Sequence, residues 1–197
     1  MAQSIVINPR KSGFRNQRKL VLIVCEGART EPSYFEGFPL HKSVYEVHGA
    51  GANTLSVIKE AIKRRDNGQF DEVWCVFDRD SFPVKRVQSA FTLAHQENIK
   101  IAFSNESFEL WYLLHYQYLD TAITRANYCT KLAALLGGKY VKNDTSMYKR
   151  LLPFQAQAIK HAKKLYAGVL PNSLHSACPV TTVYKLVERL NKLSKGN

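Results

Sequence analysis

Two short apolar runs, each followed at once by an acidic residue, constrain the fold of this chain more than any other sequence feature. The first run covers 20–25 and leads into Glu26, and the second covers 73–77 and leads into Asp78. Apolar residues at every position are typical of parallel strands that are buried on both faces. Because open parallel sheets hold their sites at the carboxyl ends of the strands, both acids are predicted to lie at such a site.

Strand-like and helix-like patterns alternate through the first half of the chain. Strands are predicted at about 20–25, 44–48, 72–78 and 99–103, and helices at about 31–38, 54–66 and 83–97. Such alternation implies right-handed crossovers, and hence an α/β, Rossmann-like fold with a central, mainly parallel sheet flanked by helices. The helix that starts near residue 54 can be capped by Asn53 or Thr54. A further, largely buried helix is predicted after Ser107, because apolar residues crowd that stretch.

The last third of the chain, from about residue 125, is predicted to form a helical extension. The glycine pair Gly137-Gly138 closes one helix, and Thr145 or Ser146 opens the next. Nine Lys or Arg residues and a single acid, Asp144, lie between residues 125 and 164. This stretch is therefore the most basic long segment of the chain.

The whole chain carries 28 Lys and Arg residues against 16 Asp and Glu residues, a formal net charge of +12. Its field is expected to attract polyanions, either nucleic acid or an anionic membrane surface. Tyrosines interleave with the cations of the last third, and such a composition can stack on bases while it neutralises phosphates. These tyrosines are Tyr140, Tyr148 and Tyr166. The predicted nucleic-acid contacts are Arg79, Lys142, Lys149, Arg150, Lys160, Lys163 and Lys164.

The sequence also excludes some classes of protein. No apolar run approaches the ~20 residues of a transmembrane helix, and the start of the chain lacks the pattern of a signal peptide. The four cysteines have no spacing typical of a zinc site, and a disulfide framework is not expected. We therefore expect a cytoplasmic protein with no membrane partner.

The acidic pair after the second apolar run has the composition of a metal site. Asp78 and Asp80 flank Arg79. Side chains two apart on an extended segment point the same way, so the two carboxylates would face one point and Arg79 the opposite face. Such a pair suits Mg²⁺ or Mn²⁺, which takes one or two carboxylates and keeps room for water and phosphate. In the alternative interpretation, the pair is a polar strand end and Asp80 caps the following helix.

Five acids are candidates for catalysis. Asp78 and Asp80 would hold the metal, and Glu26 would be either a third metal ligand or the general acid/base. Glu31 or Glu109 could supply ligands to a second metal ~4 Å from the first, the spacing of two-metal phosphodiesterases. A purely structural role is the alternative for each of the five.

Five motifs occur in order along the chain. They are Leu22-Ile23-Val24-Cys25-Glu26-Gly27, Thr30-Glu31-Pro32 with Tyr34-Phe35, Val76-Phe77-Asp78-Arg79-Asp80, Ser104-Asn105 with Ser107-Phe108-Glu109-Leu110-Trp111, and Pro179-Val180-Thr181-Thr182-Val183-Tyr184-Lys185-Leu186-Val187-Glu188. Together they resemble the RloB-like proteins over most of residues 20–190. The chain departs from that pattern at Glu106, where a proline is expected, and at Cys178, where Asn is expected before Pro179.

The RloB-like proteins are similar to the wider Toprim group, which uses a Glu after the first strand and an Asp-x-Asp after a later one. On this chain these positions are Glu26, Asp78 and Asp80. The resemblance thus implies a Toprim-like fold and an enzyme that cleaves phosphodiesters with Mg²⁺ or Mn²⁺. We expect three regions, namely a basic flexible arm, a Toprim-like catalytic core, and a basic helical region packed on the core. They cover 1–19, 20–120 and 121–197.

The leading function is a nuclease that cuts RNA, with tRNA as one candidate, or DNA. The resemblance further implies a role in bacterial anti-phage defence, beside an ABC-type or AAA-type ATPase that could control a toxic enzyme. Two alternatives stay open on the sequence alone. The protein could bind nucleic acid without cutting it, or it could be an interaction subunit of an ATPase-containing defence complex.

Overall fold

Strands and helices alternate in the computed structural model, which describes residues 20–51, 53–80, 83–170 and 172–196. The strands are β1 (Val21–Cys25), β2 (Tyr45–Gly49), β3 (Glu72–Asp78), β4 (Lys100–Asn105) and β5 (Val180–Thr181). The helices are α1 (Thr30–Glu36), α2 (Thr54–Asn67), α3 (Val84–Gln96), α4 (Glu109–Leu114), α5 (Arg125–Leu135), α6 (Met147–Leu151), α7 (Gln155–Ala167) and α8 (Val183–Ser194). A 3₁₀ turn, Leu152–Phe154, joins α6 to α7. The predicted N-terminal arm, 1–19, lies outside the described residues.

The five strands form one sheet in the order β2-β1-β3-β4-β5. The first four are parallel, and β5 runs antiparallel to β4. This confirms the predicted α/β fold with a mainly parallel sheet. Because β1 and β3 are hydrogen-bonded neighbours in register, with Cys25 opposite Val76, their carboxyl ends lie side by side. The two acid-bearing strand ends therefore meet at one edge of the sheet.

The apolar runs are continuous because helices cover both faces of the sheet. Along β1, the residues Val21 and Ile23 face one core and Leu22 and Val24 face the other. The second core is built with α2 and α3, which contribute side chains such as Val57. A strand with a buried residue at every position has no polar face for water, which is why its sequence shows no alternation.

The C-terminal helices share the first core. Tyr128 of α5, Ala158 of α7 and Leu186 of α8 are buried in the same apolar cluster as Phe35 of α1 and Trp111 of α4. Helices α7 and α8 pack on each other and reach the sheet through β5 and β4. The division of the chain at residue 120 stays a prediction.

Local signals explain where several helices begin and end. The side chain of Asn53 accepts a hydrogen bond from the Ser56 amide at 3.3 Å, so Asn53 caps α2 as predicted. Helix α5 ends before Gly137, whose φ of +71° favours glycine. Helix α6 begins directly after Ser146. The helix predicted after Ser107 is α4, and all six of its residues are buried.

Within the described ranges, no helix combines the length and the apolar character that crossing a bilayer needs.

Candidate active site

Glu26, directly after β1, contacts the end of the neighbouring strand β3. The Glu26 amide donates to the carbonyl of Val76 at 2.8 Å, so the chain keeps its pairing with β3 beyond β1. One carboxylate oxygen of Glu26, Oε2, accepts from the Asp78 amide at 3.1 Å, and Oε1 accepts from the Thr54 hydroxyl at 3.3 Å. Burial raises the pKa of Glu26. The Glu26 carboxyl group is thus fixed by two hydrogen bonds, and its pKa is higher than that of an exposed glutamate because it is buried.

Asp78 is the last residue of β3, and its side chain is buried. Its Oδ2 accepts a hydrogen bond from the amide of Phe108 at 3.0 Å, so the segment that enters α4 folds back on this aspartate. Its Oδ1 is also buried and has no hydrogen-bond partner among the described residues. Burial, together with the nearby charges of Glu31 and Glu109, raises the pKa of Asp78 well above its usual range.

Asp80 lies in a turn and not on an extended segment. Strand β3 ends at Asp78, and Asp80 has a φ of +48°, in the left-handed region. Its carboxylate forms an ion pair with Arg125, and the same guanidinium nitrogen, Nη2, lies 3.7 Å from Asp78 Oδ2. The two aspartates thus face one point, as predicted, although the turn produces this arrangement. The capping interpretation of Asp80 is wrong, since α3 begins after Pro83 and no described side chain caps it.

Glu31 and Glu109 occupy the first turns of two helices, α1 and α4, and both side chains are buried. A β-carbon at Gly27 would overlap the Glu31 carboxylate, so a larger residue there would displace that carboxylate from its present position. Burial and the charge of Glu109 raise the pKa of Glu31. Glu109 Oε1 accepts a hydrogen bond from the Tyr140 hydroxyl at 3.3 Å and lies 3.7 Å from Lys142 Nζ.

The donor atoms of this site suit a hard divalent cation. The five predicted acids supply only carboxylate oxygens, and Asp78 Oδ1 is a buried oxygen without a hydrogen-bond partner in the described ranges. Two cations, Arg125 and Lys142, pair with these acids. Among the residues that the structure describes, however, no three His, Cys, Asp or Glu side chains converge closely enough to hold a metal ion. The carboxylate oxygens are of the kind that Mg²⁺ or Mn²⁺ prefers, but in the described part of the chain they are not gathered into a ready cation site, and Arg125 lies between the two aspartates.

The predicted nucleic-acid contacts are in different surroundings. Lys142 lies beside the acids. Arg150 pairs with Asp144, Lys163 pairs with Glu188, and Lys164 lies over the ring of Tyr118. Arg79 is half-buried, and its charge acts on the Cys178 thiol. Lys149 and Lys160 are exposed. Their roles in binding stay predictions.

The tyrosines of the basic region correct part of the sequence interpretation. Tyr140 and Tyr148 are buried in the first core, so neither ring is available to stack on a base. Tyr148 packs against Phe38 with 4.6 Å between the ring centroids. Tyr166 is half-buried, with its ring centroid 6.2 Å from that of Tyr184. The prediction of base stacking is wrong for Tyr140 and Tyr148, because both rings are packed against apolar side chains of the first core.

Three residues of the site were missed by the sequence analysis. Arg125 was counted as a basic residue but not placed with the acids, and neither Thr54 nor Tyr140 was predicted to contact them. Thr54 was visible only as a capping candidate. Arg125 and Tyr140 come from segments far along the chain, and no local pattern links them to the acids.

The fold and this cluster define an α/β protein with an acidic site at the carboxyl edge of a parallel sheet. The family model described as RloB-like protein matches residues 21–190, so the chain belongs to the RloB-like family. No curated protein and no solved structure matches the chain.

The buried carboxylates are expected to cost stability at neutral pH when no metal is bound. Burial raises the pKa of Asp78 in the folded state. The protonated Asp78 side chain therefore stabilises the fold at pH values below the unfolded pKa, and this contribution is lost as the pH rises through the folded pKa. Asp78→Asn is therefore expected to raise the free energy of unfolding by about 1–2 kcal/mol at pH 7.5 in EDTA. Urea unfolding at pH 4 to 8 measures the difference, which should shrink toward pH 4. A variant less stable than wild type at pH 7.5 contradicts it.

Proposed function

We propose that this protein is a Mg²⁺- or Mn²⁺-dependent nuclease of the Toprim type. The observation that carries the proposal is the meeting of Glu26, Asp78 and Asp80 at the adjacent ends of β1 and β3. Buried acids are costly, and this site lies in a chain of net charge +12. Acids gathered at such a cost are typical of functional sites.

Each acid has a proposed role. Asp78 and Asp80 would bind the cation, which when bound neutralises charge on the scissile phosphate and lowers the pKa of a water. Glu26 is held by Thr54 and by the Asp78 amide, and its raised pKa suits a group that takes a proton from the attacking water. Glu31 and Glu109 add carboxylates for a second cation.

Nucleic acid is the proposed substrate, with RNA favoured over DNA. The positive charge of the chain supports a nucleic-acid substrate of either kind, because it attracts a polyanion over distance. Lys142 lies beside Glu109 with about half of its side chain exposed, and it is the proposed phosphate contact near the acids.

The biological setting is also part of the proposal. Resemblance to the RloB-like family supports a cytoplasmic role in bacterial anti-phage defence, under the control of an ABC-type or AAA-type ATPase. An enzyme that cuts cellular nucleic acid would need such control, so the purified protein could require its ATPase for full activity.

The direct test is incubation of the purified protein with total RNA and with plasmid DNA in Mn²⁺ or Mg²⁺. Products are resolved on denaturing gels, with EDTA as a control. Metal-dependent products name the polymer that is cut. Absence of products, both alone and with the ATPase partner, would overturn the nuclease proposal.

One observation favours a second candidate, a nucleic-acid-binding module that does not cut. Arg125 neutralises Asp80 and approaches Asp78, an arrangement that a purely structural ion pair would also produce. This candidate requires nucleic-acid affinity that is retained in Asp80→Asn, together with no cleavage product from wild type in Mn²⁺. An interaction subunit, in contrast, requires capture of its protein partner and negligible nucleic-acid affinity.

Binding to nucleic acid is expected to depend steeply on salt. Phosphate contacts release condensed counterions, so affinity for a 20-nucleotide RNA should fall at least about tenfold between 50 and 200 mM KCl. Lys142→Gln is expected to weaken binding and to reduce the salt slope by about one. Fluorescence anisotropy in EDTA measures both, with Lys195→Gln as a control far along the chain. An affinity indifferent to salt would contradict the assignment of the basic surface.

A further inference from the structure

Arg125 is the one basic group, among the described residues, that pairs with both aspartates of the candidate site. It is the first residue of α5, and the preceding Thr124 caps that helix by accepting from the Asn127 amide at 3.3 Å. Tyr128, one turn later, is fully buried in the first core. The backbone of Arg125 is therefore fixed by packing, while its side chain extends toward the acids.

The guanidinium is more exposed than either aspartate. The side chain of Asp78 is 8% exposed, that of Asp80 is 30% exposed, and that of Arg125 is 39% exposed. Exposure thus increases from Asp78 to Asp80 to Arg125, so the guanidinium is the most accessible of the three groups. A cation that approaches the buried aspartate from this side meets a positive charge already bound there.

The ion pair also leaves part of the site unsatisfied. Arg125 Nε is buried without a hydrogen-bond partner in the described ranges, and so is Asp78 Oδ1. A guanidinium bound to carboxylates at full strength makes two parallel hydrogen bonds to one carboxylate. Here a single nitrogen, Nη2, approaches both aspartates, and neither carboxylate forms a two-bond pair with the guanidinium.

We propose that Arg125 holds the cation position between Asp78 and Asp80 in the metal-free protein and competes with the divalent cation for it. This rests on the proposed function, because it takes the two aspartates as the metal ligands. Arg125 is then a positioning residue that sets the metal affinity. The same guanidinium, once displaced, is free to bind phosphate, for which its planar fork is suited. Loading of the metal and capture of a phosphate are thereby linked through one side chain.

The test is titration of the metal-free protein with Mn²⁺ alone, followed by calorimetry, for wild type and Arg125→Gln. Removal of the competing charge is expected to lower the dissociation constant of Mn²⁺ about tenfold or more. Lys131→Gln is the matched control, since this exposed residue lies on the same helix and loses the same charge. Its affinity for Mn²⁺ is expected to equal that of wild type.

Arg125→Lys keeps the charge but shortens its reach, and an intermediate affinity is expected. An intermediate affinity in Arg125→Lys indicates competition for the cation position. An unchanged circular dichroism spectrum shows that the substitutions have not damaged α5. The proposal is overturned if Arg125→Gln is folded and binds Mn²⁺ no more tightly than wild type. Binding by Arg125→Gln but not by wild type supports it, whereas no binding by either overturns it. If Asp78→Asn binds Mn²⁺ like wild type, the aspartates are not the ligands, and the proposed function fails instead.

Discussion

Asp80→Asn is expected to lower the rate of metal-dependent cleavage at least about 1,000-fold, while the protein stays folded. The substitution replaces one of the two carboxylates that face the proposed cation position with a neutral amide. Charge stabilisation of a phosphoryl transition state by a bound metal contributes several kcal/mol, and loss of about 4 kcal/mol corresponds to this factor. Initial rates in Mn²⁺, measured on the polymer that wild type cuts, give the result.

Asp120→Asn is the matched control, because it makes the same change at an exposed position in the loop between α4 and α5. Its cleavage rate should equal that of wild type. Affinity for nucleic acid should survive in Asp80→Asn, since Lys142 and the basic surface are untouched. Cleavage by Asp80→Asn at the wild-type rate would exclude a role for this carboxylate in catalysis.

The positions of β1 to β4 were predictable because they depend on local composition. The run Leu22–Val24 is buried on both sides, and such burial leaves a continuous apolar signature. The same pattern predicts that the two strand-end acids lie at one edge of the sheet, and they do: Glu26 directly follows β1, and Asp78 is the last residue of β3. Strand β5 was not predicted, since two residues, Val180 and Thr181, contain no period to detect.

The rest of the candidate site depends on contacts between distant segments. The ion pair of Arg125 with Asp80 is set by the path of the chain from α4 to α5, which no spacing in the sequence encodes. The Asp-x-Asp geometry also differed from expectation, because the strand ends at Asp78 and Asp80 adopts a positive φ. The convergence predicted from an extended segment therefore depends on a turn and on the guanidinium between the two aspartates.

Trp111→Ala is expected to lower the free energy of unfolding by about 3–5 kcal/mol, the usual cost of removing a buried Trp or Phe side chain. Trp111 is fully buried in α4, and its ring packs edge-on against His115 at a centroid distance of 4.8 Å and against Tyr34 at 6.4 Å. For a chain of this length, the melting temperature should fall by about 6–20 °C. Trp111→Phe should cost much less, because it leaves a smaller cavity.

The same variant tests how the C-terminal helices relate to the sheet. Trp74, the remaining tryptophan, reports on β3 by fluorescence, while circular dichroism at 222 nm reports mainly on the helices. Because α4 packs against both α5 and α7 within one apolar cluster, both signals should shift together in a single transition. If the helical signal melts first and Trp74 is unaffected, residues 121–197 form a separate unit. A joint shift, in contrast, means that α4 ties the acidic site to the C-terminal helices, because the Phe108 amide that precedes α4 holds Asp78.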